Sequence, residues 1–282
     1  MKKVYIINFK GEKEPFSFKK VYQSAKRAGA SNNLAKEIAR RIQSEVCPGM
    51  KTSEIFNKIQ TILSKKSFPV SIKFSLKDAI RRLGPTGFPF EKYIGEVLQK
   101  NGFQAKLNQY IYGICGIRYE IDFIAQRGDL LYVGECKYRN QPSALIHSGD
   151  VVETYGRFLD LKDGEFFQKR KYQKLRIMSI VVTNAKFTDA SIKYAKCRQV
   201  ELLGWRYPKK GGLEYLIESQ GLYPITILPS FKNHLFECFN YHQMMLVQDI
   251  LKTSPQKLAE KIDVSLKEIN PLVEEAKILL EL

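Results

Sequence analysis

Asp122, Glu135 and Lys137 are the residues of this sequence whose types and spacing suit chemistry on a charged substrate. Glu135 and Lys137 close the apolar run "LLYVGECKYR" (130–139). Two positions apart in an extended chain, they leave the same face, while Cys136 points the other way. Asp122, in "YEIDFIA", stands upstream at the distance expected of two antiparallel strands joined through "QRGD". Pairing those strands would bring two carboxylates to one spot, where they repel unless a cation neutralises them. Glu91, in the preceding amphipathic stretch "FEKYIGEVLQKNGF", is a third acid placed to complete the cluster. Oxygen donors without a His or Cys cluster favour a hard ion, Mg²⁺ or Mn²⁺, over zinc. A lysine beside such an ion can orient an attacking water or steady charge developing on a phosphate. The competing reading is an ordinary salt bridge at the end of a strand, and the residues alone leave both open.

The elements that must position these side chains fall into three stretches. Residues 1–84 read as a short hairpin turning at Gly11, followed by helices. Ser31 or Asn32 is the expected N-cap of one helix and Thr52 or Ser53 of another. "GPTGFPF" punctuates the boundary. Residues 85–228 open with the Glu91 helix. Three consecutive strand candidates follow, then a helix at "DVVETYGRFLDL", the strand "IMSIVVTN", a short helix and a last strand at "VELLGW". That order predicts an α/β fold with a mixed central sheet flanked by helices. Residues 229–282 read as helices at "HQMMLVQDILK", "SPQKLAEKID" and "SLKEINPLVEEAKILLEL".

Forty-six Lys and Arg against 29 Asp and Glu give a formal charge of +17. A chain this basic usually meets a polyanion, most often nucleic acid, although a solvated basic surface is the plain alternative. The charge is densest at "QKRKYQKLR" (168–176) and "RYPKK" (206–210). Five cysteines without close pairs, no run long enough for a membrane span and no signal-peptide pattern at the N-terminus point to a reduced, cytoplasmic protein. His147 reads as a loop residue, and Asn184 and Thr188 as links between strand and helix.

"FEKYIGEVLQKNGF … YEIDFIA … LYVGECKYR … VVTNAKFT", across about residues 85–205, resembles the PD-(D/E)XK nucleases, in particular the Mrr-type restriction endonucleases. The resemblance implies a restriction-endonuclease-like fold and Mg²⁺-dependent hydrolysis of DNA phosphodiesters. It carries Glu91, Asp122, Glu135 and Lys137 over as the catalytic set, with the three acids as metal ligands. "GEKEPFSFKKV" and "GMKTSEI" resemble an ATP-cone, which implies a regulatory ATP or dATP site. Gly11 falls at its turn and Lys20 and Thr52 at its phosphate side; Asn8 and Phe9 stand where the family carries a Lys-Arg pair, with Lys10 or Lys51 as the substitutes. The last stretch is similar to a helix-hairpin-helix domain, without its glycines. Together these imply a DNA endonuclease, expected as a homodimer because cutting both strands needs two sites. The alternative is a catalytically inactive DNA-binding or nucleotide-sensing scaffold.

Overall fold

The computed structural model describes residues 3–84 and 87–281, so Pro85 and Thr86 of the expected junction lie outside it. The chain begins with β1 (Tyr5–Ile7), β2 (Lys13–Pro15), α1 (Phe18–Arg27), α2 (Asn32–Glu45), α3 (Thr52–Lys66), α4 (Phe68–Phe74) and α5 (Leu76–Arg81). Next come α6 (Phe88–Lys100), β3 (Gln104–Tyr112), β4 (Arg118–Arg127), β5 (Leu130–Cys136), β6 (Leu145–Ile146), α7 (Ser148–Asp163) and α8 (Glu165–Gln168). β7 (Arg176–Val182), β8 (Lys186–Phe187), α9 (Asp189–Arg198) and β9 (Glu201–Leu203) complete the strands. α10 (Leu213–Glu218), α11 (Leu235–Tyr241), α12 (Val247–Ile250), α13 (Pro255–Ile262) and α14 (Leu266–Leu280) end the series. No helix among the described residues is long and apolar enough to cross a membrane.

Contacts divide the chain into two units. The first holds residues through Ala79, Ile225–Asn233 and everything from Ile250 onward. Its core is aliphatic, built on Ile38, Ile42, Ile59 and Leu63, all nearly inaccessible. Ser17 and Ser31 cap α1 and α2 by accepting backbone N–H groups of their first turns. α3 differs from expectation, since Lys51 and neither Thr52 nor Ser53 takes the N-cap position. The Glu54 carboxylate reaches back to the Lys51 N–H at 3.2 Å, which supplies the capping bond that a hydroxyl was expected to give.

Contacts divide residues 229–282, expected as a third body, between the two units. α14 packs on α4, and the Ser230 hydroxyl donates to Glu275 at 2.7 Å. The segment His234–Asp249 belongs instead to the second unit, where Val247 N–H donates to the Tyr223 carbonyl. "HQMMLVQDILK" is likewise not one helix. Gln243 adopts a left-handed backbone (φ 56°), Met244 and Met245 enter the core as loop residues, and helix resumes only at α12.

The second unit comprises Ile80–Pro224 and His234–Asp249. Its five-stranded sheet has the order β3-β4-β5-β7-β9, with β3, β4 and β5 antiparallel and β5, β7 and β9 parallel. This is a mixed sheet with helices packed on it. Gly128, at φ 61°, opens the two-residue turn between β4 and β5, a conformation that glycine takes without steric cost. Phe123 stands across from Gly134, and a β-carbon there would come within 2.0 Å of its ring. Glycine therefore lets the aromatic ring cross β5 on the face away from the acids. β6 and β8 form a two-residue parallel pair that no sequence signal announced.

Candidate active site

Asp122 lies mid-strand on β4, and Glu135 is the penultimate residue of β5. The β4–β5 register ends at Phe123↔Gly134, and its extension by one step would set Asp122 across from Glu135, on the same face. Beyond that point the ladder changes, because the Cys136 N–H donates to Asp122 Oδ2 at 2.6 Å. A carboxylate thus replaces the backbone partner where the two strands part. Lys137 follows β5 directly. Its N–H donates to the Val182 carbonyl, and its own carbonyl accepts from Thr183 Oγ1 at 2.6 Å. So anchored, its ammonium sits 2.9 Å from Glu135 Oε1, with the two side chains only 15% and 13% exposed. Glu91 occupies the first turn of α6, half-buried.

The charges of these acids are coupled. Burial first, and the Glu135 carboxylate second, push the Asp122 carboxyl up to about 7, against the pull of the Cys136 N–H. Burial, then Glu120 and Glu135, raise Glu91. The structure therefore brings Glu91, Asp122, Glu135 and Lys137 into one neighbourhood, with Glu120 at its edge. Cys136 is buried behind them, and burial drives its thiol well above the ordinary range.

Two residues of "HSGDVVETYGRF" (147–158), a stretch expected to help form a DNA-facing cleft but with neither residue singled out, enter this site. Arg157, on α7, places its guanidinium 2.9 Å from Glu135 Oε2, so both oxygens of Glu135 face cations. Glu153, one turn earlier, holds the same guanidinium at 3.0 Å. The only sequence signal was their i,i+4 spacing, which reads equally well as a solvent-facing pair. Asn108, at φ 50°, interrupts the β3–β4 pairing between Leu107↔Phe123 and Gln109↔Ile121, beside Asp122. Asn184, expected as a link, brackets Arg139, accepting its N–H and donating to its carbonyl, both at 2.8 Å. Thr188 caps α9, and His147 occupies the N-cap position of α7.

Among the described residues, no three Asp, Glu, His or Cys side chains close on a common point as a preformed metal cage. Mg²⁺ does not need one, since it keeps most of its waters and takes one or two carboxylates together with substrate oxygens. Asp122 and Glu135 supply that pair. Asp122 suits the role because it is half-buried beside another carboxylate and forms no ion pair among the described residues. The donor chemistry fits a hard divalent ion on Asp122 and Glu135, with Glu91 coupled to them electrostatically.

The expected nucleotide residues are only partly gathered. Lys20 and Thr52 line one cavity of about 200 Å³ together with Phe9 and Glu14. Lys20 is paired with Glu14 at 3.3 Å, and the Thr52 hydroxyl is buried without a partner. Gly11 takes the expected turn at φ 82°, but neither it nor Lys10 reaches that cavity. Asn8 organises the turn instead, its Oδ1 accepting the N–H groups of Lys10 and Glu12 at 2.9 and 3.0 Å. The cavity is smaller than the roughly 300–1,000 Å³ that usually encloses a ligand.

An Archaeoglobus fulgidus protein described as uncharacterized is 36% identical over 186 residues, spanning 65% of this chain and 98% of its own length. This chain belongs to that protein's family. A crystal structure of a protein of unknown function, AF1548, matches 70% of this chain and all of its own chain, at 31% identity and a TM-score of 0.58. The MspJI restriction endonuclease, solved with a 27-mer oligonucleotide, matches 73% of this chain and 39% of its own at 13% identity. Its TM-score of 0.32 is too low to carry fold or function. No protein-family model matches the chain.

Proposed function

We propose that this protein is a Mg²⁺-dependent DNA endonuclease hydrolysing phosphodiester bonds. The observation that carries the reading is the junction of β4 and β5, where Asp122, Glu135 and the Lys137 ammonium meet on one face of the sheet. On this reading the second unit is a restriction-endonuclease-like nuclease core, and the last helices are a helix-hairpin-helix-like module. The protein works on DNA as a cytoplasmic homodimer. Asp122 and Glu135 would hold the ion, with Glu91 as a third carboxylate, and the ion would supply a Lewis acid for the phosphate and a more acidic water. The Lys137 ammonium, held by its backbone bonds to β7 and the following turn, positions the attacking water or neutralises charge on the phosphate. Arg157 adds a second positive charge within reach of the same spot. The low exposure of Glu135 and Lys137 strengthens each of these interactions relative to water.

The test is nicking of supercoiled plasmid with Mg²⁺ or Mn²⁺. Asp122→Ala and Lys137→Ala should each lower the rate by about 100-fold or more. Nicking at the parental rate by both variants would sink the assignment. Salt-sensitive DNA binding with no metal-dependent cleavage under any condition would instead favour a non-catalytic scaffold. ATP or dATP regulation is tested by equilibrium binding to the full chain; the 200 Å³ cavity as formed is too small to enclose a nucleotide.

A further inference from the structure

The two densest basic stretches of the sequence, 168–176 and 206–210, take no part in the acidic site, yet the fold brings them to one place. β9 pairs only with residues 180–182 of β7, which leaves the first half of β7 open on that side. A cleft of about 770 Å³ forms there, lined among others by Arg176, Lys162 near the end of α7, Lys196 on α9 and Tyr207. Arg176 and Leu175 come from the first basic stretch, and Tyr207 and Pro208 from the second. Lys162, Arg176 and Lys196 are exposed, and none of them forms an ion pair among the described residues. The one acid lining the cleft is Glu201. Lys174 and Lys209, next in sequence to the lining residues Leu175 and Pro208, are exposed as well and continue the positive charge past the lining.

Three cations gathered beside a single carboxylate repel one another, and a polyanion relieves that repulsion. Because the charge continues past the lining, it suits a row of phosphates better than a single one. The cleft lies away from the acids. Arg176 pairs with Leu130 on β5, five residues short of Glu135 and so about 17 Å along the strand. That is roughly half a turn of duplex DNA.

The geometry points to a second nucleic-acid contact: the cleft at the open edge of β7 binds the phosphate backbone of duplex DNA, about half a helical turn from the acidic site. The identity of the polyanion rests on the nuclease reading, whereas the charge of the cleft does not.

The test uses the full chain and the triple variant Lys162→Gln/Arg176→Gln/Lys196→Gln, in chelator so that no strand is cut. Affinity is measured by fluorescence anisotropy against salt, on duplexes of about one and about four helical turns. On the long duplex, the slope of log affinity against log salt should become shallower by roughly 2–3, about 0.9 for each lost phosphate contact. The short duplex should show a smaller change. Arg176→Lys should keep the parental slope, and an unchanged unfolding temperature shows that the triple variant folds. An unchanged slope on the long duplex overturns the proposal. So does tighter binding of the parental chain to duplex RNA or to phosphatidylserine vesicles than to DNA. Plasmid nicking separates the two readings. A shifted slope without any cleavage dependent on Asp122 and Lys137 leaves the cleft standing and removes the nuclease; cleavage with an unshifted slope does the reverse.

Discussion

Glu135 is gripped from two sides, by Lys137 at one oxygen and Arg157 at the other, whereas among the described residues Asp122 accepts the Cys136 N–H and forms no ion pair. The asymmetry predicts different behaviour on mutation. Arg157 competes with any divalent ion for Glu135, so Arg157→Gln should lower the Mg²⁺ concentration that half-protects the protein against thermal unfolding. An unchanged midpoint would show that the two do not compete. Asp122 has a carboxyl raised from 3.8 to about 7 in the fold. The folded state therefore binds this proton more tightly than the unfolded one. The stabilisation is complete below about pH 4 and is lost as pH rises towards 7. At about 1.4 kcal/mol per unit, the largest loss is roughly 4 kcal/mol. In chelator, Asp122→Asn should match the parent at pH 4 and unfold at a higher temperature by pH 8. Parallel unfolding curves across that window would contradict the burial and repulsion described for this carboxyl.

At the scale of elements, the site depends on β4 and β5 lying flat against each other, which Gly134 permits by leaving room for the Phe123 ring. Gly134→Ala should cost about 1–3 kcal/mol or more through overpacking. Trimming the ring with Phe123→Leu should recover part of the loss, and urea midpoints of the single and double variants measure the coupling. The meeting of Asp122 and Glu135 was legible in the sequence because strand side chains alternate with a period of two and "QRGD" fixed the hairpin length. Lys137 was legible for the same reason. Arg157 was not, because helical spacing does not say which face of α7 lies over the sheet. Asn108 was hidden because its left-handed backbone sits inside an otherwise regular strand pattern. β6 and β8, at two residues each, are too short to carry a period. The helix expected at "HQMMLVQDILK" failed because buried methionines fit a core loop as well as a helix face.

For the whole molecule, charge and connectivity matter more than any single contact. The excess of +17 makes DNA affinity steeply dependent on salt, and the cleft beside β7 locates part of that dependence. Connectivity escaped the sequence reading because apolar helix faces do not name their partners; α14 packs on its chain neighbour α13 and also on α4, far away in the sequence. Deleting residues 250–282 should therefore expose the first unit's own core. Hydrogen exchange would show it as lost protection in α4, and unchanged protection there would refute the packing.

The same connectivity orders events in time. The chain passes between the units at 79/80, 224/225, 233/234 and 249/250, so the sheet-bearing unit is complete in sequence before the first unit is. On a ribosome, the helices before Ala79 must wait for residues 250–282 before their hydrophobic faces are covered. Aggregation during expression should accordingly start from the N-terminal helices, and supplying residues 250–282 as a separate peptide should suppress it for chains arrested before that point.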